Sequence, residues 1–271
     1  MSTLTDAVLD SQVLVKRNLI KIVRVPEILV FTLVQPIMFV LLFAYVFGSA
    51  IKVTGSAGGY REFLIAGIFA QTTLFGATFT GAGIAEDMQK GVMDRFRSLP
   101  MSRSAVLVGR TLSDVVINLI SVTVMALTGL AVGWRIRTSV WEAVAGFALL
   151  LFFAYAFSWI MAYVGLIVPS PEVVNNASFI VIFPLTFIAN TFVPLDGLPH
   201  VLKVFAEWNP VSSVTQACRD LFGNASGGGA NPSHAWPVVH PEIYTIGWAL
   251  LILAVFVPLS VREYKRAAGK G

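Results

Sequence analysis

Side chains able to do covalent or metal chemistry are scarce in this chain and lie far apart. His200, His234 and His240 fall in one polar stretch of the C-terminal third, but their spacing matches no standard zinc pattern and no cysteine or acidic ligand closely accompanies them. No metal site is expected. The one cysteine, Cys218, has no partner for an internal disulfide and reads as an inert buried or loop thiol. No phosphate loop of the GxxxxGKS/T type occurs, so the chain itself should not bind ATP, and Gly227-Gly228-Gly229 lacks the lysine and following helix of a phosphate cradle. An enzyme gathers its reactive groups in one place, and the sequence gathers none.

The charged residues that do cluster are better suited to recognition. They occupy Glu86-Asp87-Met88-Gln89-Lys90-Gly91-Val92-Met93-Asp94-Arg95-Phe96-Arg97-Ser98-Leu99-Pro100, where a wheel at about 100° per residue puts Met88, Val92, Phe96 and Leu99 on one side. Pro100, with no N–H to donate, stops the helix. A short amphipathic helix results, in which Phe96 and Leu99 anchor and Asp94, Arg95 and Arg97 set the register against a soluble partner. The competing reading is a loop resting on a membrane surface.

The elements that hold this stretch are apolar. Of 271 residues, 56% are hydrophobic and 13% charged, with a mean hydropathy of +0.77, where a soluble domain carries about 25% charge. The apolar residues come in runs of roughly 20, the length that crosses a hydrocarbon core of about 30 Å as a helix. A β-barrel would instead show short alternating segments. The expected fold is an all-α polytopic membrane protein with six spans, at about residues 28–47, 63–83, 105–132, 143–168, 173–193 and 243–261. The net charge of +4 fits cytoplasmic loops. With no basic patch interleaved with aromatics, no nucleic-acid partner is expected. The first apolar run is longer than the roughly 7–15 residues of a signal h-region, so it should be retained.

Several residues within and around these spans carry expectations. Lys16, Arg17, Lys21 and Arg24 lie off the apolar stripe of residues 4–24, either a dedicated interfacial helix against membrane lipid or an ordinary basic flank. Asp114 follows Arg110 by four residues, which suits an intrahelical ion pair near the surface, with a proton-relay carboxylate as the alternative. Otherwise the spans hold essentially no ionisable residue at depth, where a charge costs about 2.5–3.5 kcal/mol and is kept where ions or protons move. That points to cargo more apolar than ionic and to energy from another chain. Gln35, Gln71, Thr72 and Asn190 are candidates to line a pathway. Residues 198–208 and 211–222 are apolar but too short to cross, as in re-entrant or interfacial helices. Residues 16–24, the 90–110 loop and the tail after 261 collect thirteen of the 19 basic residues, so the positive-inside rule puts both termini and the 86–99 helix in the cytoplasm.

Two motifs carry a resemblance. Glu86-Asp87 through Arg110, centred on Arg95-Phe96-Arg97-Ser98-Leu99-Pro100-Met101-Ser102-Arg103, and Phe192-Val193-Pro194 through Leu198-Pro199, Trp208-Asn209-Pro210 and Arg219 are similar to the permease subunit of ABC-2 type ATP-binding-cassette exporters, specifically the daunorubicin-resistance permease family of actinobacteria. The likeness runs over roughly residues 15–262. It implies a single transmembrane domain over 1–271 that forms a homodimer or pairs with a second permease, and that binds two copies of an ATPase subunit holding ATP and Mg. It implies that Glu86, Asp87, Met88, Gly91, Asp94, Arg95, Phe96, Arg97 and Leu99 belong to a coupling helix at 86–99 seated in that ATPase. It also implies an external re-entrant segment at 198–222, with Pro194, Pro199, Asn209, Pro210 and Arg219 as its motif residues. The cargo would be an amphipathic or hydrophobic drug or lipid. A membrane-embedded lipid-modifying enzyme and a non-transporting assembly protein are the rival readings.

Overall fold

Helix ends in this chain are set by caps written into the local sequence. A computed structural model describes residues 13, 15–17, 20, 26–47, 59–92, 103–195, 198–224 and 233–267. Among them the regular elements are helices: α1 (Pro26–Leu42, continued by a π-helical turn Phe43–Phe47), α2 (Gly59–Gln89), α3 (Arg103–Val132), α4 (Val140–Ile167), α5 (Pro171–Phe187), α6 (His200–Trp208), α7 (Pro210–Phe222), α8 (Trp236–Val239) and α9 (Pro241–Ala267). Ser139 and Glu142 form a reciprocal capping box that starts α4. Ser170 caps α5 and Asn209 caps α7, each followed by a proline at the first helical position, where its missing N–H costs nothing. Gly223 ends α7 in the left-handed conformation, φ 71°, that glycine adopts without strain.

Four of these helices are long and apolar enough to cross a membrane: Gly59–Gln89, Val106–Val132, Val140–Ile167 and Pro241–Arg266. The spans expected at 28–47 and 173–193 are matched by shorter apolar helices, α1 and α5. The reason α5 stops early is local. The Leu185 carbonyl accepts from Asn209 Nδ2 at 2.7 Å and the Asn190 N–H donates to Ser212 Oγ at 3.1 Å, so partners on α7 replace helical ones and residues 188–193 turn.

The bundle is built around α2, 78% of whose most apolar window is buried, against 22% for α9. It packs on α4, α5, α3 and α7, while α9 lies against α4 and α7. At the α2–α4 crossing the two backbones touch, because a Cβ on Gly165 would overlap the backbone of Gly81. The main core runs through all the long helices, with Phe69, Trp134, Phe147 and Phe222 meeting edge-on or tilted in its upper part. A second cluster joins Ile84 of α2, Leu107 of α3, Trp159 and Leu166 of α4 and Tyr264 of α9 at the opposite end.

Candidate functional site

The first residues of the Glu86–Pro100 cluster continue α2 rather than opening a separate helix. α2 continues through Gln89, and the break falls at Lys90–Gly91, where Gly91 takes a φ of 64° and its N–H reaches the Met88 carbonyl at 3.2 Å. A left-handed residue is where a glycine belongs at a helix C-terminus, so Glu86, Asp87 and Met88 form the last turn of α2. Asp94, Arg95, Phe96, Arg97 and Leu99 lie outside the described residues.

That last turn is tied down on three sides. Met88 packs against the second apolar cluster, which contains side chains of α3, α4 and α9. Gln89 Nε2 donates to the Pro169 carbonyl at 3.1 Å, joining α2 to the turn between α4 and α5. Lys90 Nζ pairs with Glu86 Oε1 at 2.5 Å, and the bond to that carboxylate, with its charge, raises the Lys90 pKa above its ordinary value. One turn further along, Arg110 Nη2 donates to the Phe79 carbonyl at 2.9 Å and Thr80 Oγ1 bonds the Asp114 carboxylate. The expected Arg110–Asp114 ion pair is therefore not among the described ones. Both side chains instead cross from α3 to α2, where a backbone acceptor and a hydroxyl donor are within reach.

The other end of α2 is held as firmly, by residues with opposite charge or unmet acceptors. Glu62, 1% exposed, takes a forked bond from Arg137 in the α3–α4 loop, with Nη2 at 2.7 Å and Nε at 3.1 Å from both oxygens. Its bond to and the charge of Glu62 raise the Arg137 pKa. Tyr60 Oη donates to the Phe192 carbonyl at 3.1 Å. Arg219 of α7 is fully buried, with Nε donating to the Phe63 carbonyl at 2.9 Å and Nη2 to those of Asn190 at 2.7 Å and Thr191 at 3.2 Å. Its guanidinium lies 3.5 Å from the Phe63 ring centroid. The planar guanidinium serves carbonyls from two elements while stacking flat on a ring, a geometry the compact ammonium of a lysine does not reproduce. Asn224 completes the layer, accepting from Trp134 Nε1 at 2.6 Å and donating to the Arg135 carbonyl at 2.8 Å.

The motif residues of the late segment divide accordingly. Arg219 builds this layer, Asn209 and Pro210 start α7 at its other end with Asn209 bonded to the Leu185 carbonyl, Pro194 is half-buried and the exposed Pro199 only precedes α6. The proposed pathway residues lie on α1, α2 and the turn after α5. Gln35 is exposed on α1, Gln71 is buried on α2, Thr72 Oγ1 donates to Met125 Sδ at 3.3 Å, and Asn190 Nδ2 donates to Gln216 Oε1 at 3.2 Å. A row of rings is continuous. Phe75, Phe179, Phe183, Phe187, Phe192 and Phe43 follow one another at centroid spacings of 6.1, 5.0, 4.1, 4.8 and 4.8 Å, linking α2, α5 and α1. The i, i+4 recurrence of phenylalanine from Phe179 to Phe187 was its only sequence signal. Of the basic flank, Lys16 and Arg17 are exposed on helical backbone, while Lys21 and Arg24 lie outside the described residues. Among the described residues no group of three or more histidine, cysteine or acidic side chains could hold a metal.

Residues 10–222 match the family model described as ABC-2 type transporter. The chain is 31% identical over 240 residues to a daunorubicin resistance ABC transporter permease protein of Streptomyces coeruleorubidus, covering 89% of this chain and 80% of that one. It is 27% identical over 238 residues to a probable doxorubicin resistance ABC transporter permease protein of Mycobacterium tuberculosis, covering 87% and 81%. A putative transport permease of Cyanophora paradoxa is 24% identical over 216 residues, covering 79% and 74%.

Proposed function

Because this chain belongs to the ABC-2 type transporter family and is a transmembrane permease of an ABC exporter, we propose that α2 is the shaft that carries work from an ATPase subunit to the far side of the bundle. The observation behind this is that α2 is unbroken over 31 residues from Gly59 to Gln89, roughly 46 Å at 1.5 Å per residue. Its last turn is bonded or packed to α3, α4, α9 and the α4–α5 turn, and its first turns are bonded to Arg137, Arg219 and Phe192. A force on Glu86–Gln89 thus reaches all of these as one body, which is how a small motion at a partner's surface becomes a rearrangement of spans.

In this reading two ATPase copies hold ATP and Mg and grip the segment 86–99, with Arg95, Phe96, Arg97 and Leu99 making the contact. The permease works as a dimer, of identical or sister chains, with α1 and α5 serving as the remaining two of six spans and both termini in the cytoplasm. The α6–α7 layer faces outside. The cargo is apolar or amphipathic, and a lower affinity for the outward-open bundle than for the inward-open one lets it go, with ATP supplying the energy. The relatives named for daunorubicin and doxorubicin resistance make a planar aromatic drug the first candidate, and the row of phenylalanines along α5 offers rings on which it could stack. The test is Phe96→Ala and Arg95→Ala in the permease reconstituted with its ATPase. ATP hydrolysis should persist while daunorubicin export is lost. Export unchanged in both variants would remove the coupling role.

A further inference from the structure

A second feature of the bundle lies away from both ends of α2. Between α5 and α9 runs a groove of about 370 Å³, floored by α4, walled by Ser178 and Ile182 on one side and Trp248 and Ile252 on the other, and closed at one end by Pro210 and Val211 at the start of α7. It is more than twice the roughly 150 Å³ that accepts a benzene ring. The gap exists because α9 leans on α4 while α5 leans chiefly on α2, and α5 and α9 share no substantial contact.

We propose that this groove binds one acyl chain of a membrane lipid, held as part of the packed permease. The lining is almost wholly apolar: the Ser178 hydroxyl is turned to Met161 Sδ at 3.9 Å, and Trp248 brings the other side-chain donor. Only an apolar occupant escapes a desolvation cost there. Val181 lines the groove and is itself exposed, as are the neighbouring apolar side chains Ile180 on α5 and Leu251 and Val255 on α9, so in a membrane the medium at the mouth is lipid. An unfilled groove would forfeit dispersion contacts along its whole lining. Its length fits one chain. The floor from Phe153 to Val164 rises roughly 16 Å at 1.5 Å per residue, about one leaflet of a core of about 30 Å. The phenylalanine row lies on another face of α5, so the acyl site and the candidate cargo track are separate. The site requires that α4, α5 and α9 lie in a membrane, and it stands whether or not the 86–99 segment couples to an ATPase.

Trp248 is a built-in reporter. The full-length permease in detergent is titrated with phosphatidylcholine brominated on one acyl chain, and the Trp248 contribution is taken as the difference between wild type and Trp248→Phe. Quenching should saturate at one lipid per chain, and native mass spectrometry should retain one diacyl lipid. Ala177→Phe, which fills the groove, should weaken the saturable phase at least about tenfold, as losing two buried methylenes would. Ile252→Phe does the same from the opposite wall, so a folding defect in one variant leaves the other as the test. Quenching that never saturates and is equal in both variants means annular lipid only and overturns the site. Displacement of the brominated lipid by daunorubicin at equal stoichiometry would assign the groove to cargo, and a Val181→Cys disulfide dimer with unquenched Trp248 would assign it to a second copy of the chain. Either result also overturns the proposal.

Discussion

Removing the Arg219 guanidinium should release α7 from the bundle, and the chain carries its own probe for that event. In wild type the side chain is fully buried and supplies the donors to the carbonyls of Phe63, Asn190 and Thr191. The Phe63 carbonyl is a helical acceptor with a second lone pair in use, but those of Asn190 and Thr191 sit in the turn after α5 and accept no other backbone hydrogen bond among the described residues. Leaving two buried acceptors unmet costs about 1–3 kcal/mol each, and the stacking on Phe63 adds about 1–2 kcal/mol. Deleting a buried cation recovers part of its desolvation cost, so Arg219→Ala should destabilise by about 3 kcal/mol. For a chain of this size that is a fall of about 6–12 °C in melting temperature. Arg219→Lys keeps the charge but not the fork, and should fall between. The assay is labelling of Cys218, the one cysteine in the sequence. It is buried beside Arg219, and burial pushes its thiol up to about 12, so a maleimide dye should not react until α7 lets go. Equal labelling temperatures for wild type and Arg219→Ala would refute the role given to those three carbonyl bonds.

Other outcomes follow from the same geometry. A double-mutant cycle on Glu62→Gln and Arg137→Gln should show non-additive melting shifts, modest in size because the bond is forked but the arginine is partly in solvent. Gly165→Val should lower the melting temperature by several degrees or abolish assembly, since a side chain there forces α4 off the Gly81 backbone at a cost of about 1–3 kcal/mol or more. In a Cys218→Ser background, a cysteine at Lys203 should react with an impermeant thiol reagent applied to intact cells and one at Lys90 should not. The reverse pattern would invert the orientation assigned to α2.

Much of the architecture is legible in composition and periodicity, because the bilayer imposes a length and an apolar run on any helix that crosses it, and caps such as Ser139-Glu142 and Asn209-Pro210 act through near neighbours. The absence of a phosphate loop and the charged stretch after the second apolar run are equally local, and they point to a partner for energy without any tertiary contact. What tertiary structure decided are the partnerships over long sequence separations. Glu62 with Arg137, Arg219 with Phe63, Thr80 with Asp114, and Gly81 against Gly165 join residues 34 to 156 positions apart or helices whose spacing carries no signal. The i, i+4 spacing of Arg110 and Asp114 allows an ion pair, yet the described hydrogen bonds of both run to α2, since in a packed bundle a backbone carbonyl or hydroxyl on the adjacent helix competes with an i, i+4 neighbour. The groove between α5 and α9 is of the same kind. It depends on which helix each leans against, and no stretch of sequence read alone contains that choice.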